Sequence, residues 1–145
     1  TVRVKEGLTY GINSRISGFE NGNDGYWMVG GTFAPELLAK GEKATLREVK
    51  KWASGGVTQE EVNITKSTLM GSYQVGFDTT AGLSGGILSA VSVWGDLQYI
   101  DSYPDDVRAV TLEQVNAVIK KYITFDSIYQ VAAGSIDKNG APTKD

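Results

Sequence analysis

The chain has 145 residues, the size of one domain, with 41% hydrophobic and 21% charged residues, as expected of a globular fold. Its net charge of -3 leaves no basic excess for nucleic acid. It contains no His and no Cys, which excludes a zinc site built on those residues, a Ser-His-Asp triad, a thiolate nucleophile and any disulfide.

No apolar run approaches the ~18 residues that a membrane span requires. Nothing near Thr1 has the pattern of a signal peptide. The chain enters a strand within a few residues, so the expectation is a piece that starts inside a longer protein.

Alternation predicts a first strand over Leu8–Ser17, with Leu8, Tyr10, Ile12 and Ile16 on one face and Thr9, Asn13, Arg15 and Ser17 on the other. The Gly- and Asn-rich run from Gly18 to Gly25 reads as a loop. Tyr26–Phe33 reads as a second strand, and the short loop makes the pair an antiparallel hairpin. Pro35 opens a helix whose apolar stripe is Leu38, Leu46, Val49, Trp52 and Ala53. Gly41 inside it predicts a kink, and Gly55-Gly56 a left-handed end.

Thr58-Gln59-Glu60-Glu61 is a capping-box pattern for a helix to about Phe77, with Val62, Leu69, Tyr73 and Phe77 along one side. A third helix follows Thr80, with Leu83, Ile87, Ala90, Val91 and Trp94 at helical spacing. Pro104 is expected to break Asp96–Ala109 into short turns. Thr111-Leu112-Glu113-Gln114 is a second capping box, for a helix to about Tyr122. Ile128–Gly134 reads as a last strand, and Ser135–Asp145 as a frayed polar tail.

The order β-β-α-α-α-α-β defines an α+β fold: a mixed, mainly antiparallel sheet with helices packed on one face. Three strands are few for four amphipathic helices, each of which needs an apolar surface. The strand set is therefore expected to be incomplete, with an open edge that would pair with a second copy as a homodimer. The domain is expected to span 1–134, and the tail 135–145.

Several chemical motifs have simpler readings. Gly82-Leu83-Ser84-Gly85-Gly86 lacks a P-loop lysine and Rossmann spacing, so its glycines serve close packing or a helix start. The acidic pairs Glu60-Glu61 and Asp105-Asp106 lie at expected helix starts, where they oppose the positive end of the dipole. Trp27, Trp52 and Trp94 fall on apolar faces and read as packing. The second strand could offer its backbone to an extended peptide by strand addition.

Arg3-Val4-Lys5-Glu6-Gly7-Leu8-Thr9-Tyr10-Gly11 resembles the R-x-x-x-G-L-x-Y segment of the pitrilysin-type (insulysin-type, inverted zincin) zinc metallopeptidases. The likeness continues through Gly30–Pro35, Gly56–Val62, Lys66–Leu69, Tyr99–Pro104 and Val110–Val115, in order and spacing. It covers most of residues 3–134 and is similar to the C-terminal domain of bacterial zinc proteases that are like mitochondrial processing peptidase.

In that family zinc sits in an H-x-x-E-H motif of a separate N-terminal domain. The resemblance implies that zinc belongs to the parent enzyme and that this chain binds none. It implies peptide-bond hydrolysis by metal-assisted attack of water. The implied partners are a peptide or unfolded polypeptide substrate and a zinc-binding domain or subunit, with no nucleic acid and no membrane span. Arg3 matches the family arginine that contacts substrate near the scissile bond. Tyr10 matches the tyrosine that donates to the carbonyl oxygen as it becomes an oxyanion. The same likeness implies a periplasmic location. The alternative it leaves open is a non-catalytic structural or peptide-binding subunit of the same fold.

Overall fold

The computed structural model describes residues 1–19, 23–125 and 128–143. The predicted loop at Gly18–Gly25 runs through 20–22, and the predicted tail ends at 144–145; both stretches lie outside the described residues. The chain divides into two compact units.

The first unit comprises 1–19, 24–55 and 120–145. It holds strands β1 (Gly11–Ser17) and β2 (Tyr26–Thr32), the Pro35–Leu37 turn of 3-10 helix, and helix α1 (Leu38–Gly55). The strands pair antiparallel, from Gly11 opposite Thr32 to Ser17 opposite Tyr26, as the hairpin pattern predicts. Trp27 of β2 packs on Trp52 of α1, with ring centroids 5.5 Å apart. The Trp27 indole N–H donates to Ser14 Oγ at 2.8 Å, so its polar end is satisfied across the ladder.

Gly41 does not kink α1, which runs unbroken from Leu38 to Gly55. The glycine instead makes room for a neighbour: a Cβ there would come within 2.3 Å of the Phe33 ring. At the far end Gly56 has φ 70°, the left-handed conformation expected after the helix.

Two expectations at the C-terminal end fail. Residues 128–134 form no ladder, and Tyr129 and Val131 are each 94% exposed. Their alternation is that of a strand, but a strand needs a hydrogen-bonded neighbour, and none is present among the described residues. The tail does not fray over its described part. Ile136 bridges Pro142, and the Asp137 carboxylate accepts from Asn139 N–H at 2.8 Å and Ala141 N–H at 2.9 Å.

The second unit comprises 20–23 and 56–119. It contains α2 (Gln59–Gly76), α3 (Thr80–Ser89), a π turn over Ala90–Trp94, α4 (Gln98–Ala109) and most of α5 (Leu112–Tyr122). Both capping boxes form. Glu61 N–H donates to Thr58 Oγ1 at 3.2 Å while Glu61 Oε2 accepts from Thr58 N–H at 2.7 Å. Thr111 and Gln114 exchange the equivalent pair.

The apolar side of α2 is Val62, Met70, Tyr73 and Phe77; Leu69 lies at the edge of that stripe and is exposed. Along α3 and the π turn that follows it, only Ala90 of the predicted stripe is buried, and Leu83, Ile87, Val91 and Trp94 are each exposed. Gly86 of α3 gives room to Phe77, whose ring a Cβ there would meet at 2.6 Å, in keeping with a packing role for that glycine run.

Pro104 lies inside a continuous α4 rather than breaking it. Proline removes the N–H that would bond the carbonyl four residues earlier, that of Ile100. Tyr73 of α2 fills the vacancy: its hydroxyl donates to Ile100 O at 2.6 Å. The Tyr73 ring also stacks on Tyr103, centroids 4.7 Å apart. The helix therefore survives its proline because a neighbouring helix satisfies the orphaned acceptor.

The class is thus α+β with an incomplete sheet, which among the described residues is the single antiparallel pair β1–β2.

Candidate functional site

Residues 1–7 form a helical turn rather than the lead-in to a strand. Lys5 N–H bonds Thr1 O at 2.9 Å and Gly7 N–H bonds Arg3 O at 3.1 Å. Gly7 closes the turn with φ 63°, a left-handed cap. Val2 anchors it to the first unit at 5% exposure. On its far side Glu6 pairs with the Arg47 guanidinium of α1, which also meets Glu48 at 3.0 Å. The two hydrogen-bonded carboxylates, Glu6 first, hold Arg47 above its already high ordinary pKa. The pair is exposed, so it contributes orientation more than stability.

Arg3 projects from this turn and is exposed. Among the described residues no ion pair engages its guanidinium.

Tyr10 departs from its expected setting. The strand begins at Gly11, not Leu8, and Tyr10 precedes it with 97% of its surface exposed. Thr9, assigned by alternation to the polar face, is the buried member at 7%. The reason is local. The Thr9 hydroxyl accepts from Gly11 N–H at 3.1 Å and donates to the Thr32 carbonyl at the end of β2. A Thr that bonds the backbone two residues on competes with the ladder. It holds the strand entrance closed on its own side and sends the next side chain outward. Sequence reasoning missed Thr9 as the residue that sets Tyr10; the signal available was a Thr two residues before the ladder starts.

Arg3 and Tyr10 thus lie on either side of the left-handed bend at Gly7, and both face solvent. No hydrogen bond or cation–π contact joins them. A phenol and a guanidinium so displayed can donate hydrogen bonds to a carbonyl or carboxylate from outside. Among the described residues no group of three or more His, Cys, Asp or Glu could hold a metal. The donor set of this chain does not fit zinc. No helix among the described residues is long and apolar enough to cross a membrane.

Residues 1–69 match the family model described as the Peptidase M16 inactive domain. An uncharacterised zinc protease of Streptomyces coelicolor is 31% identical over 117 residues, which is 75% of this chain and 25% of that protein. The periplasmic protease PqqL from Escherichia coli shares the fold, with a TM-score of 0.64 over 84% of this chain and 14% of its own, at 21% identity. Fold and motifs together place the chain beside the C-terminal-type domain of pitrilysin-type metallopeptidases. Its first 69 residues carry the match to the Peptidase M16 domain, and the chain spans about a quarter of the length of the curated zinc protease it resembles.

Proposed function

We propose that this chain is the substrate-holding and transition-state-assisting part of a zinc peptidase whose metal motif lies outside these residues. Residues 1–134 make up that domain in this reading. Arg3 binds substrate beside the scissile bond, and Tyr10 donates its hydroxyl hydrogen to the carbonyl oxygen as negative charge grows on it. The observation that carries the proposal is the exposure of Tyr10: 97% of a large aromatic side chain is held outward by the buried Thr9 beneath it. Its hydroxyl meets only solvent in this structure and is free to donate to a ligand. One preorganised donor of this kind contributes about 2.7–4 kcal/mol to the transition state.

Tyr10→Phe in the complete protein tests the assignment. The expected result is a fall in kcat of about 10²–10³ with KM for peptide nearly unchanged. Turnover that stays normal removes Tyr10 from the mechanism. The substrate in this reading is a peptide or an unfolded polypeptide, the partner is the zinc-binding domain or subunit, and the compartment is the periplasm. The periplasmic setting is supported by the structural neighbour, which is named a periplasmic protease.

A second reading has one observation in its favour, the description of the matched domain as inactive. It makes the protein a non-catalytic structural or peptide-binding subunit. An H-x-x-E-H motif in the same or an adjacent reading frame decides for the peptidase, and its absence for the scaffold.

A further inference from the structure

The unpaired state of Arg3 has a cause on α1. The acid nearest to Arg3 in sequence is Glu6, three residues on, and the next is Glu20. Side chains three apart on a helical turn are neighbours, and opposite charges at that spacing attract. Yet no ion pair joins Arg3 to Glu6 among the described residues. Glu6 is taken by Arg47 instead.

Arg47 is suited to this. Its Nε and Nη2 both donate to Glu48, at 3.1 and 3.0 Å, which fixes the guanidinium on its own helix. Nη2 also donates to Glu6. A planar fork of donors can hold two carboxylates at once, which a lysine ammonium does with less direction. The turn is brought to α1 by the buried Val2 and closed by Glu6 N–H to Thr1 O and Leu8 N–H to Val2 O, each at 3.1 Å. The Arg47 and Glu6 side chains are 55% and 31% exposed, so their pairing adds little to the stability of the fold. Its larger consequence is the choice of which cation Glu6 neutralises.

We propose that Arg47 is a positioning residue: by holding Glu6 against α1 it keeps that carboxylate off Arg3, and leaves the Arg3 guanidinium open to the oxygens of a bound peptide. The inference rests on the substrate-binding role given to Arg3 above, and is independent of Tyr10. Without Arg47, Glu6 turns to Arg3 and competes with the substrate. An exposed pair at this spacing shifts a competing equilibrium by about two- to fivefold, and that is the expected penalty on binding.

The test measures kcat and KM of the complete protein on an internally quenched fluorescent peptide, chosen for turnover from a mixed-sequence library. Arg47→Met keeps the aliphatic stem and removes the charge. It is expected to raise KM about two- to fivefold with kcat unchanged. Adding Glu6→Gln to Arg47→Met is expected to return KM to the wild-type value, because the amide has no charge to offer Arg3. Arg47→Lys, which still pairs with Glu6, is expected to stay near wild type. In an Arg3→Met background KM is already raised, and Arg47→Met adds nothing to it. Arg47→Gln takes the place of Arg47→Met should that variant fail to fold by circular dichroism. An unchanged KM in Arg47→Met overturns the inference. So does a raised KM that Glu6→Gln does not restore, which makes Arg47 a tether of the turn and nothing more. A KM indifferent to Arg3→Met, or a complete protein that turns over no peptide, defeats the substrate-binding reading of Arg3 and this inference with it.

Discussion

The hydrogen bond from Tyr73 to Ile100 makes the sharpest quantitative prediction. At 2.6 Å it supplies the partner that Pro104 denies to the Ile100 carbonyl. Removing the hydroxyl with Tyr73→Phe keeps the ring stacked on Tyr103 and strips only the donor. A net hydrogen bond contributes about 0.5–1.5 kcal/mol, and an unpaired buried carbonyl costs about 1–3 kcal/mol. Tyr73 is half-buried, so water reaches part of the site and the lower range applies. The expected loss is about 1 kcal/mol, which moves a urea midpoint by roughly 0.3–1 M.

A double-mutant cycle separates this bond from ordinary packing. Pro104→Ala restores an N–H four residues after Ile100, and that N–H takes over the carbonyl. In that background Tyr73→Phe is expected to cost less than about 0.5 kcal/mol. Equal costs in the two backgrounds would refute the account of how α4 tolerates its proline. Alkaline pH offers the same test without mutation of the helix. Burial first, then Asp101 and Tyr103, raises the Tyr73 pKa above its ordinary 10.0. The folded state thus favours the protonated donor. That contribution is whole below pH 10.0 and fades as pH rises through the higher folded value. The wild type is expected to lose more stability on that limb than Tyr73→Phe.

Three further outcomes follow from the fold. Glu61 is held below the ordinary 4.5 by the Thr58 backbone N–H and then by the Thr58 hydroxyl, so its contribution is present above 4.5 and lost as pH falls through the lower folded value. Glu61→Gln should therefore flatten the acid limb of helix content measured by circular dichroism; an unchanged limb would remove the capping box from acid stability. Gly41→Ala gains about 1 kcal/mol of helix propensity but places a Cβ against the Phe33 ring, which costs about 1–3 kcal/mol, so a net loss in urea midpoint is expected, reversed to a gain when Phe33→Leu is added. Residues 1–145 alone are expected to retain no zinc in equilibrium dialysis and to keep their helix content in a chelator; a stoichiometric ion would contradict the donor chemistry of this chain.

What could be read from the sequence was whatever has a short-range cause. Both capping boxes, the antiparallel hairpin, the left-handed Gly56 and the starts of α2 and α5 follow from residues within a turn of one another. The failures share one origin, a partner distant in sequence. Gly41 was legible as a glycine in a helix but not as the seat of Phe33. Pro104 was legible as a breaker, because the Tyr73 hydroxyl that spares the helix comes from α2. Residues 128–134 have the pattern of a strand, but a pattern cannot provide the neighbouring ladder.

The site shows the same division, with a more instructive outcome. Arg3 and Tyr10 are singled out only by the family resemblance, while alternation puts Tyr10 on the inward face with Leu8 and Ile12. Alternation assumes that the ladder has begun. One hydroxyl, that of Thr9, delays the ladder to Gly11 by bonding the backbone at both strand ends. The three-residue delay, from Leu8 to Gly11, turns the phenol outward instead of into the core. Thr9→Val keeps the size and the burial but removes the bond. It is expected to let pairing extend past Gly11, draw Tyr10 inward and quench its exposure to an aqueous nitration reagent. If Tyr10 stays fully reactive in Thr9→Val, the outward phenol has some other cause, and the link between strand entry and site geometry is broken.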